Sequence, residues 1–338
     1  MKILTIVVPT YNMEKYLSRC LDSMLINNSR KESLEILVVN DGSKDSSMSI
    51  AKDYEKKYPD IVKAIDKENG NYGSCVNRGL KEATGKYFRI LDADDTFQMC
   101  ALESMLNALP TTEEDMLVTR YSYLYDLTNE RKRIEPKNVV YGKKYESFDF
   151  SLDDNDVILS MHAVTYKTTL LKDIALRLDE GVSYTDLEYV YFPQKYIKSL
   201  RFFDIDLYEY HIGREGQTVD PRSQAKSIKS FLTVTKRLVD DYVSDYKKSN
   251  PIVQNNERIT INKIIYATFK IALVVCRKDK VNDKILKDIY KKIKHTDSSV
   301  LWLKKKKIRP VVFLWLLTGW YYSCLLYTSD AADDRISV

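Results

Sequence analysis

The sequence predicts an α/β fold, with a Rossmann-like, mostly parallel sheet flanked by helices and a helical C-terminal extension. Three observations predict it. Short apolar, β-branched runs alternate with helical periodicity through the first half of the chain. Polar turn residues punctuate the ends of the apolar runs. Beyond about residue 223 the pattern is helical. Strict strand–helix alternation implies parallel strands joined by right-handed crossovers.

The elements follow in order. Leu4 to Val8 reads as a buried strand ended by Pro9. Glu14 to Asn27 reads as a helix with Leu17, Leu21, Met24 and Leu25 on one face. Leu34 to Val39 is a second strand, closed by the turn Asn40-Asp41-Gly42-Ser43, and Ser46 to Tyr58 a second helix. Ile61 to Ile65 is a third strand, and Gly73 to Ala83 a helix stopped at Gly85. Lys86 to Leu91 is a fourth strand and Thr96 to Leu109 the helix after it. Asp115 to Tyr125 reads as strand, Arg131 to Asn155 as charged and loop-rich, and Val157 to Tyr166 as strand. Thr185 to Ile197 reads as helix and Leu200 to Tyr208 as strand. The extension carries helical patterns over Ser227 to Tyr246, Ile259 to Cys276 and Lys284 to Ile293.

With 338 residues, 44% of them hydrophobic, the chain can bury a sizeable core. The 30% of charged residues and net charge of +5 are mixed in sign, which argues against both disorder and a nucleic-acid binder. Tyr is abundant, 25 against 10 Phe. That enrichment suits half-wet sugar clefts or membrane interfaces, or reflects only the composition of the source genome. Cys20, Cys75, Cys100, Cys276 and Cys324 form no ligand-spaced cluster, which reads as reduced thiols in a cytoplasmic compartment. Met1 to Pro9 runs straight into a strand pattern without a cleavage site, so no signal peptide is expected.

In a parallel sheet, ligands bind at the carboxyl ends of the strands. Three such ends carry polar residues here: Pro9-Thr10-Tyr11-Asn12, Asn40-Asp41-Gly42-Ser43 and Asp92-Ala93-Asp94-Asp95. Each alone could be a turn or a cap, but together they predict one crevice. Three carboxylates in four residues repel one another, and a cation relieves that. Hard oxygen donors favour Mg2+ or Mn2+, ions that bridge to substrate phosphates. A nucleoside diphosphate is the ligand expected. Neither a P-loop nor a G-x-G-x-x-G follows the first strand, so a P-loop hydrolase and a dinucleotide oxidoreductase are not expected.

Val7-Val8-Pro9-Thr10-Tyr11-Asn12, Val39-Asn40-Asp41-Gly42-Ser43, Asn77-Arg78-Gly79 and Leu91-Asp92-Ala93-Asp94-Asp95 together resemble the motifs of family 2 glycosyltransferases with the GT-A fold, over roughly residues 1 to 220. The resemblance implies an inverting transferase using a nucleotide-diphosphate sugar, commonly a UDP-sugar, in surface polysaccharide or glycan synthesis. It places Pro9, Thr10, Tyr11, Asn12 and Asp41 around the base, Asp92 and Ala93 near the ribose, and Asn77 at the nucleotide. It makes Asp94 the metal ligand. Val76 departs from the pattern, standing where many relatives carry Arg. The loop Gly213-Arg214-Glu215-Gly216-Gln217-Thr218 resembles the one that closes over the diphosphate, with Arg214 and Gln217 able to meet the leaving group.

Inverting transfer needs a base for the acceptor hydroxyl. Tyr184-Thr185-Asp186-Leu187-Glu188 is the best candidate segment, and the resemblance makes Asp186 the base although Thr185 stands where relatives often have Glu. Asp186 as a simple helix cap, and Glu188 as the base, are the alternatives. His162 and His211 are expected to be structural. A sugar nucleotidyltransferase is the rival enzyme class, but it needs a basic Gly-rich loop where Thr10 to Tyr16 offers only Lys15. An inactive carbohydrate-binding module is the non-enzymatic rival, and the presence of both Asp94 and Asp186 speaks against it.

The expected organisation is a glycosyltransferase domain over 1–220, a helical region over 221–300, a basic and aromatic segment over 301–324, and a non-native tail over 325–338. The third of these carries Lys304 to Lys307 and Arg309, ahead of an uncharged stretch from Val311 to Tyr327. It is expected either to contact the inner face of the cell membrane peripherally or to approach the length of a short span. The acceptor is expected to be a glycan or lipid-linked sugar.

Overall fold

The computed structural model describes residues 1–26, 30–146, 150, 159–213, 217, 221–248, 250–276, 279–301 and 308–319. The chain divides into two compact units, one formed by Met1–Phe150 and Asn155–Arg214, the other by Ser151–Asp154 and Glu215–Val338.

The first unit holds one 10-stranded sheet. Its strands are β1 (Leu4–Thr10), β2 (Leu34–Asn40), β3 (Val62–Asp66), β4 (Tyr87–Ile90), β5 (Thr96–Phe97), β6 (Met116–Tyr125), β7 (Glu130–Ile134), β8 (Lys144–Glu146), β9 (Val164–Lys167) and β10 (Ser199–Ile212). Its helices are α1 (Leu17–Asp22), α2 (Ser47–Lys57), α3 (Asn71–Glu82), α4 (Met99–Ala108), α5 (Thr168–Asp173) and α6 (Asp186–Tyr191). The order β3-β2-β1-β4 is parallel throughout, as the alternation predicts. Ile6, Val7, Val8, Ile36, Leu37, Val38 and Val39 are buried, each contributing about 1.5–3 kcal/mol. Runs buried on both faces show no alternation, which is why they read so clearly.

Past β4 the sheet becomes mixed. β9 runs antiparallel to both β4 and β6, and β6 is parallel to β10. The strand expected from Val157 shortens to Val164–Lys167, and 157–158 lie outside the described residues. The expected loop-rich stretch contains two strands, β7 against β6 and β8 against β10. β7 reads as loop because four of its five residues are exposed and charged or polar, as befits an edge. Thr96–Phe97 pairs with β10 instead of opening a helix, so α4 begins at Met99. α6 stops at Tyr191 and tightens over Phe192–Tyr196, where Pro193 offers no N–H. α1 is shorter than the Glu14 to Asn27 pattern because tight turns at Tyr16 and Met24 flank it, and Asn27 lies outside the described residues.

The second unit is helical, with α7 (Pro221–Lys226), α8 (Ile228–Asp245), α9 (Pro251–Lys270), α10 (Lys280–Thr296) and α11 (Arg309–Thr318). Asn250 caps α9, its side chain accepting from Ile252 N at 2.9 Å. This start lies well before the expected Ile259, because Pro251 fits a first helical turn and the intervening Gln254, Asn255 and Asn256 hide the periodicity. A wider turn over Ile271–Val275 ends the helix. The four cysteines among the described residues are free thiols. No described helix is long and apolar enough to cross a membrane.

Candidate functional site

The carboxyl ends of β1, β2 and β4 meet at one edge because these strands are parallel neighbours. Thr10 is level with Asn40, Asp41 N donates to Thr10 O at 2.8 Å, and Leu91 N donates to Val7 O at 2.9 Å. Thr10 is buried with its hydroxyl on Val8 O at 3.0 Å, Pro9 is half-buried beside it, and the Tyr11 ring is 47% exposed. Asn12 takes a left-handed φ of 54°, and its side chain accepts from Lys44 N at 2.8 Å, which pins the first strand end to the loop after β2. Asp41 is buried. Its Oδ1 accepts from Lys67 Nζ at 2.6 Å and from Gly70 N at 2.9 Å.

The acidic segment follows β4. Asp92 and Asp94 are half-buried, while Ala93 and Asp95 are buried. Tyr72 Oη donates to Asp92 Oδ1 at 2.8 Å. Tyr208 Oη donates to Asp95 Oδ2 at 2.7 Å and accepts from Asp92 N at 3.2 Å. Arg19 holds the Asp94 carbonyl at 2.8 Å. Burial, reinforced by the charges of Asp94 and Asp92, pushes the Asp95 carboxyl well above the usual range.

His162 joins this cluster. One of its ring nitrogens and oxygens of Asp92 and Asp95 all lie within 4.8 Å of one another. His162 is therefore more than the isolated structural histidine expected from sequence. The 67 or more residues that separate it from the acidic segment hid the proximity, which depends on β9 inserting antiparallel beside β4. Burial and the Arg89 guanidinium keep the imidazole neutral, pushed down to about 3, so it can accept or ligate. His211 is structural as expected, with ring nitrogens on Thr96 Oγ1 at 3.0 Å and Asp126 Oδ1 at 2.8 Å. The crowded negative charge and the oxygen-rich donor set fit a divalent cation.

Asp186 opens α6 and is half-buried. Tyr184, at a left-handed φ of 67°, turns the chain into this helix, a conformation that costs a bulky residue about 1 kcal/mol. Burial raises the Asp186 carboxyl to about 6. The Asp186 charge acts on the phenol of Tyr72, the same phenol that donates to Asp92. Glu188 is fully buried, with Oε2 accepting from Asp179 N at 2.7 Å.

The loop ahead of α6 is tied to α3. Asn77, expected at the nucleotide, donates through Nδ2 to Leu178 O at 2.9 Å and accepts through Oδ1 from Leu178 N at 2.9 Å. It also donates to Glu180 Oε1 at 2.9 Å. Gly181 N donates to Gly70 O at 2.7 Å. At Gly73 a Cβ would lie 2.1 Å from Asp179 O and 3.0 Å from Thr185 Oγ1, so only glycine permits this approach. Arg214 lies outside the described residues, and Gln217 is a buried residue of the second unit. Tyr72, Tyr208 and Lys67 were not singled out from sequence, and His162 was singled out only as a structural histidine. Tyr abundance was the one available signal, and it did not locate the two phenols.

A family model described as glycosyl transferase family 2 matches residues 5–175. The chain is 28% identical, over 71% of its length and 78% of the relative's, to an uncharacterized glycosyltransferase of Mycoplasma pneumoniae, the MG060 homolog. It is 30% identical to a poly(ribitol-phosphate) β-glucosyltransferase of Bacillus spizizenii over 64% of this chain but only 33% of that protein. A teichoic acid poly(glycerol phosphate) polymerase of Staphylococcus epidermidis is 28% identical over 75% of this chain and 34% of its own length. The chain thus spans only about a third of the latter two relatives. Among solved structures, S. aureus TarS 1–349 in complex with UDP-GlcNAc superimposes with a TM-score of 0.61 at 19% identity, covering 95% of this chain and 93% of that one. The mannosyltransferase PcManGT of Pyrobaculum calidifontis, in complex with GDP-Man and Mn2+, gives 0.52 at 15% identity, over 94% of this chain and 79% of that one. These likenesses establish the GT-A fold.

Proposed function

Because the chain belongs to glycosyltransferase family 2, we propose that it transfers a sugar, with inversion, from a UDP-sugar to a hydroxyl of a cell-envelope polymer of the glycan or teichoic acid type. The observation that carries this reading is the acidic segment at the sheet's carboxyl edge, where Tyr72 Oη donates to Asp92 Oδ1 and Tyr208 Oη to Asp95 Oδ2. In this reading Pro9, Thr10, Tyr11, Asn12 and Asp41 enclose the base, and Asp92 and Ala93 receive the ribose. Lys67 beside Asp41 adds a cation that the sequence reading overlooked. Asp94 would hold the divalent metal, Mn2+ or Mg2+, next to the grouped ligand atoms of Asp92, Asp95 and His162, and the ion would supply positive charge to the diphosphate.

Asp186 takes the proton from the acceptor hydroxyl as its oxygen bonds to the anomeric carbon. The bond from that carbon to the diphosphate breaks, and its electron pair leaves with UDP. A carboxyl raised to about 6 is a stronger base than one at an ordinary value and is still ionised at neutral pH. Arg214 and Gln217 are assigned to the leaving diphosphate. The basic segment around Lys304 to Lys307 is assigned to peripheral contact with anionic lipid at the inner membrane face.

Calorimetric titration of UDP, with and without Mn2+, tests the reading. The wild type is expected to bind UDP at least 10-fold more tightly with Mn2+, and Asp94→Ala to lose that increment while keeping its fold. Equal affinity in all four titrations would sink the metal assignment, and no UDP binding at all would sink the reading.

A further inference from the structure

Two neighbouring carboxylates of the acidic segment are each held by a tyrosine hydroxyl. Tyr208 serves the buried Asp95, from inside the sheet. Tyr72 serves Asp92 and comes from a different element, the first turn of α3. It is half-buried, and its hydroxyl also touches Met161 Sδ at 3.1 Å. Asn71, immediately before it, takes a left-handed φ of 64°, which helps set the direction in which α3 starts. Gly73, immediately after it, lies against Asp179 and Thr185, the residues that lead into Asp186. Tyr72 therefore stands at the seam between the donor-side carboxylate and the turn that carries the base.

A phenol has one proton, and here it points at Asp92. Asp92 Oδ1 is fixed by this bond, while its backbone N–H is fixed on Tyr208. A carboxylate with one oxygen fixed, on a residue whose backbone N–H is also fixed, is pre-organised to accept from a ligand hydroxyl.

We propose that Tyr72 is a positioning residue for the donor: its hydroxyl orients Asp92 to receive the ribose of the nucleotide-sugar. The inference rests on the UDP-sugar reading above. Tyr72 acts on donor binding through Asp92, and the proton-transfer step belongs to Asp186.

Tyr72→Phe in the full chain removes the hydroxyl and keeps the ring packing. The measurements are the UDP dissociation constant by calorimetry in Mn2+, the donor KM and kcat, and the thermal midpoint. A bond to a charged group is lost, so UDP affinity is expected to fall roughly 10-fold and donor KM to rise to match. The turnover number should stay within about threefold and the midpoint within a few degrees, which a purely packing role would share but without the loss of affinity. Unchanged affinity and KM overturn the proposal, as does a fall in kcat alone, which would put the hydroxyl at the acceptor step. A wild type that neither binds UDP nor turns over any nucleotide-sugar overturns the parent reading, and this proposal with it.

Discussion

Asp186 is the base of the proposed reaction, and its environment makes two opposite demands visible at once. Burial raises its carboxyl from 3.8 to about 6. The group must be ionised to accept a proton, so kcat/KM should fall as pH drops through about 6 and level off above it. A pH–rate profile with its acid limb near an ordinary carboxylate value, about 4, would remove Asp186 from that role. The same shift has a cost in stability. A carboxyl raised in the folded state favours the protonated form there, so stability is greatest at low pH and declines as pH rises from about 4 to about 6. Asp186→Asn mimics the protonated side chain and is expected to unfold later at pH 8, by on the order of 1–3 kcal/mol. Its transfer rate should fall on the order of 10²–10⁴-fold with donor binding retained. A mere cap would be served nearly as well by Asn, with activity unchanged. Glu188 is a poor rival for the base, since it is fully buried and one of its oxygens is committed to Asp179 N.

At the scale of elements, α3 links the two halves of the site. Gly70 N reaches Asp41 on the nucleotide side, Tyr72 reaches Asp92, and Asn77 clamps Leu178 on the loop that leads to Asp186. Asn77→Ala removes both bonds to the Leu178 backbone, a loss of about 1–3 kcal/mol. UDP affinity should hold within threefold while kcat falls at least 10-fold, because the nucleotide contacts survive and the loop carrying the base does not. If UDP affinity falls instead and kcat holds, Asn77 belongs at the nucleotide, as the motif resemblance implies. Gly73→Ala should behave similarly and lose about 1–3 kcal/mol in thermal or denaturant unfolding, because its Cβ would meet Asp179 O at 2.1 Å.

The elements also show what a sequence can and cannot convey. β1, β2 and β3, the strand ends and the Gly85 stop after α3 are encoded locally, in runs of apolar residues and turn chemistry, and they were legible. β9 is four residues long, shorter than the strand expected from Val157, and β5 is only two, and their antiparallel pairing depends on distant partners that no local period records. The carboxylates of the site were legible because they crowd together in sequence. Tyr72, Tyr208 and His162 were not, because each reaches the acidic segment only through tertiary contacts.

For the whole molecule, the sheet unit carries the proposed donor edge and base, and the second unit is a helical assembly with its own core. Thr235 and Thr268 share a hydrogen bond at 2.8 Å, Lys292 reaches Asp240 at 2.5 Å, and the buried Trp315 donates to Asp283 at 2.7 Å. Around Trp315, α11 leaves Phe313 and Leu317 more than 60% exposed. The ten residues of α11 reach about 15 Å, half a bilayer core. Liposome flotation should recover the chain on anionic vesicles and leave a chain ending at Ser299 in solution; equal flotation of both removes the lipid assignment.

Turnover of a nucleotide-sugar panel, with the product's anomeric configuration read by proton NMR, bears on the whole scheme at once. One UDP-sugar should release UDP in a Mn2+-dependent reaction, an α-linked donor should give a β-linked product, and Asp186→Asn should bind that donor without turning it over. Retention of configuration, or wild-type turnover by Asp186→Asn, would contradict inverting transfer with Asp186 as its base.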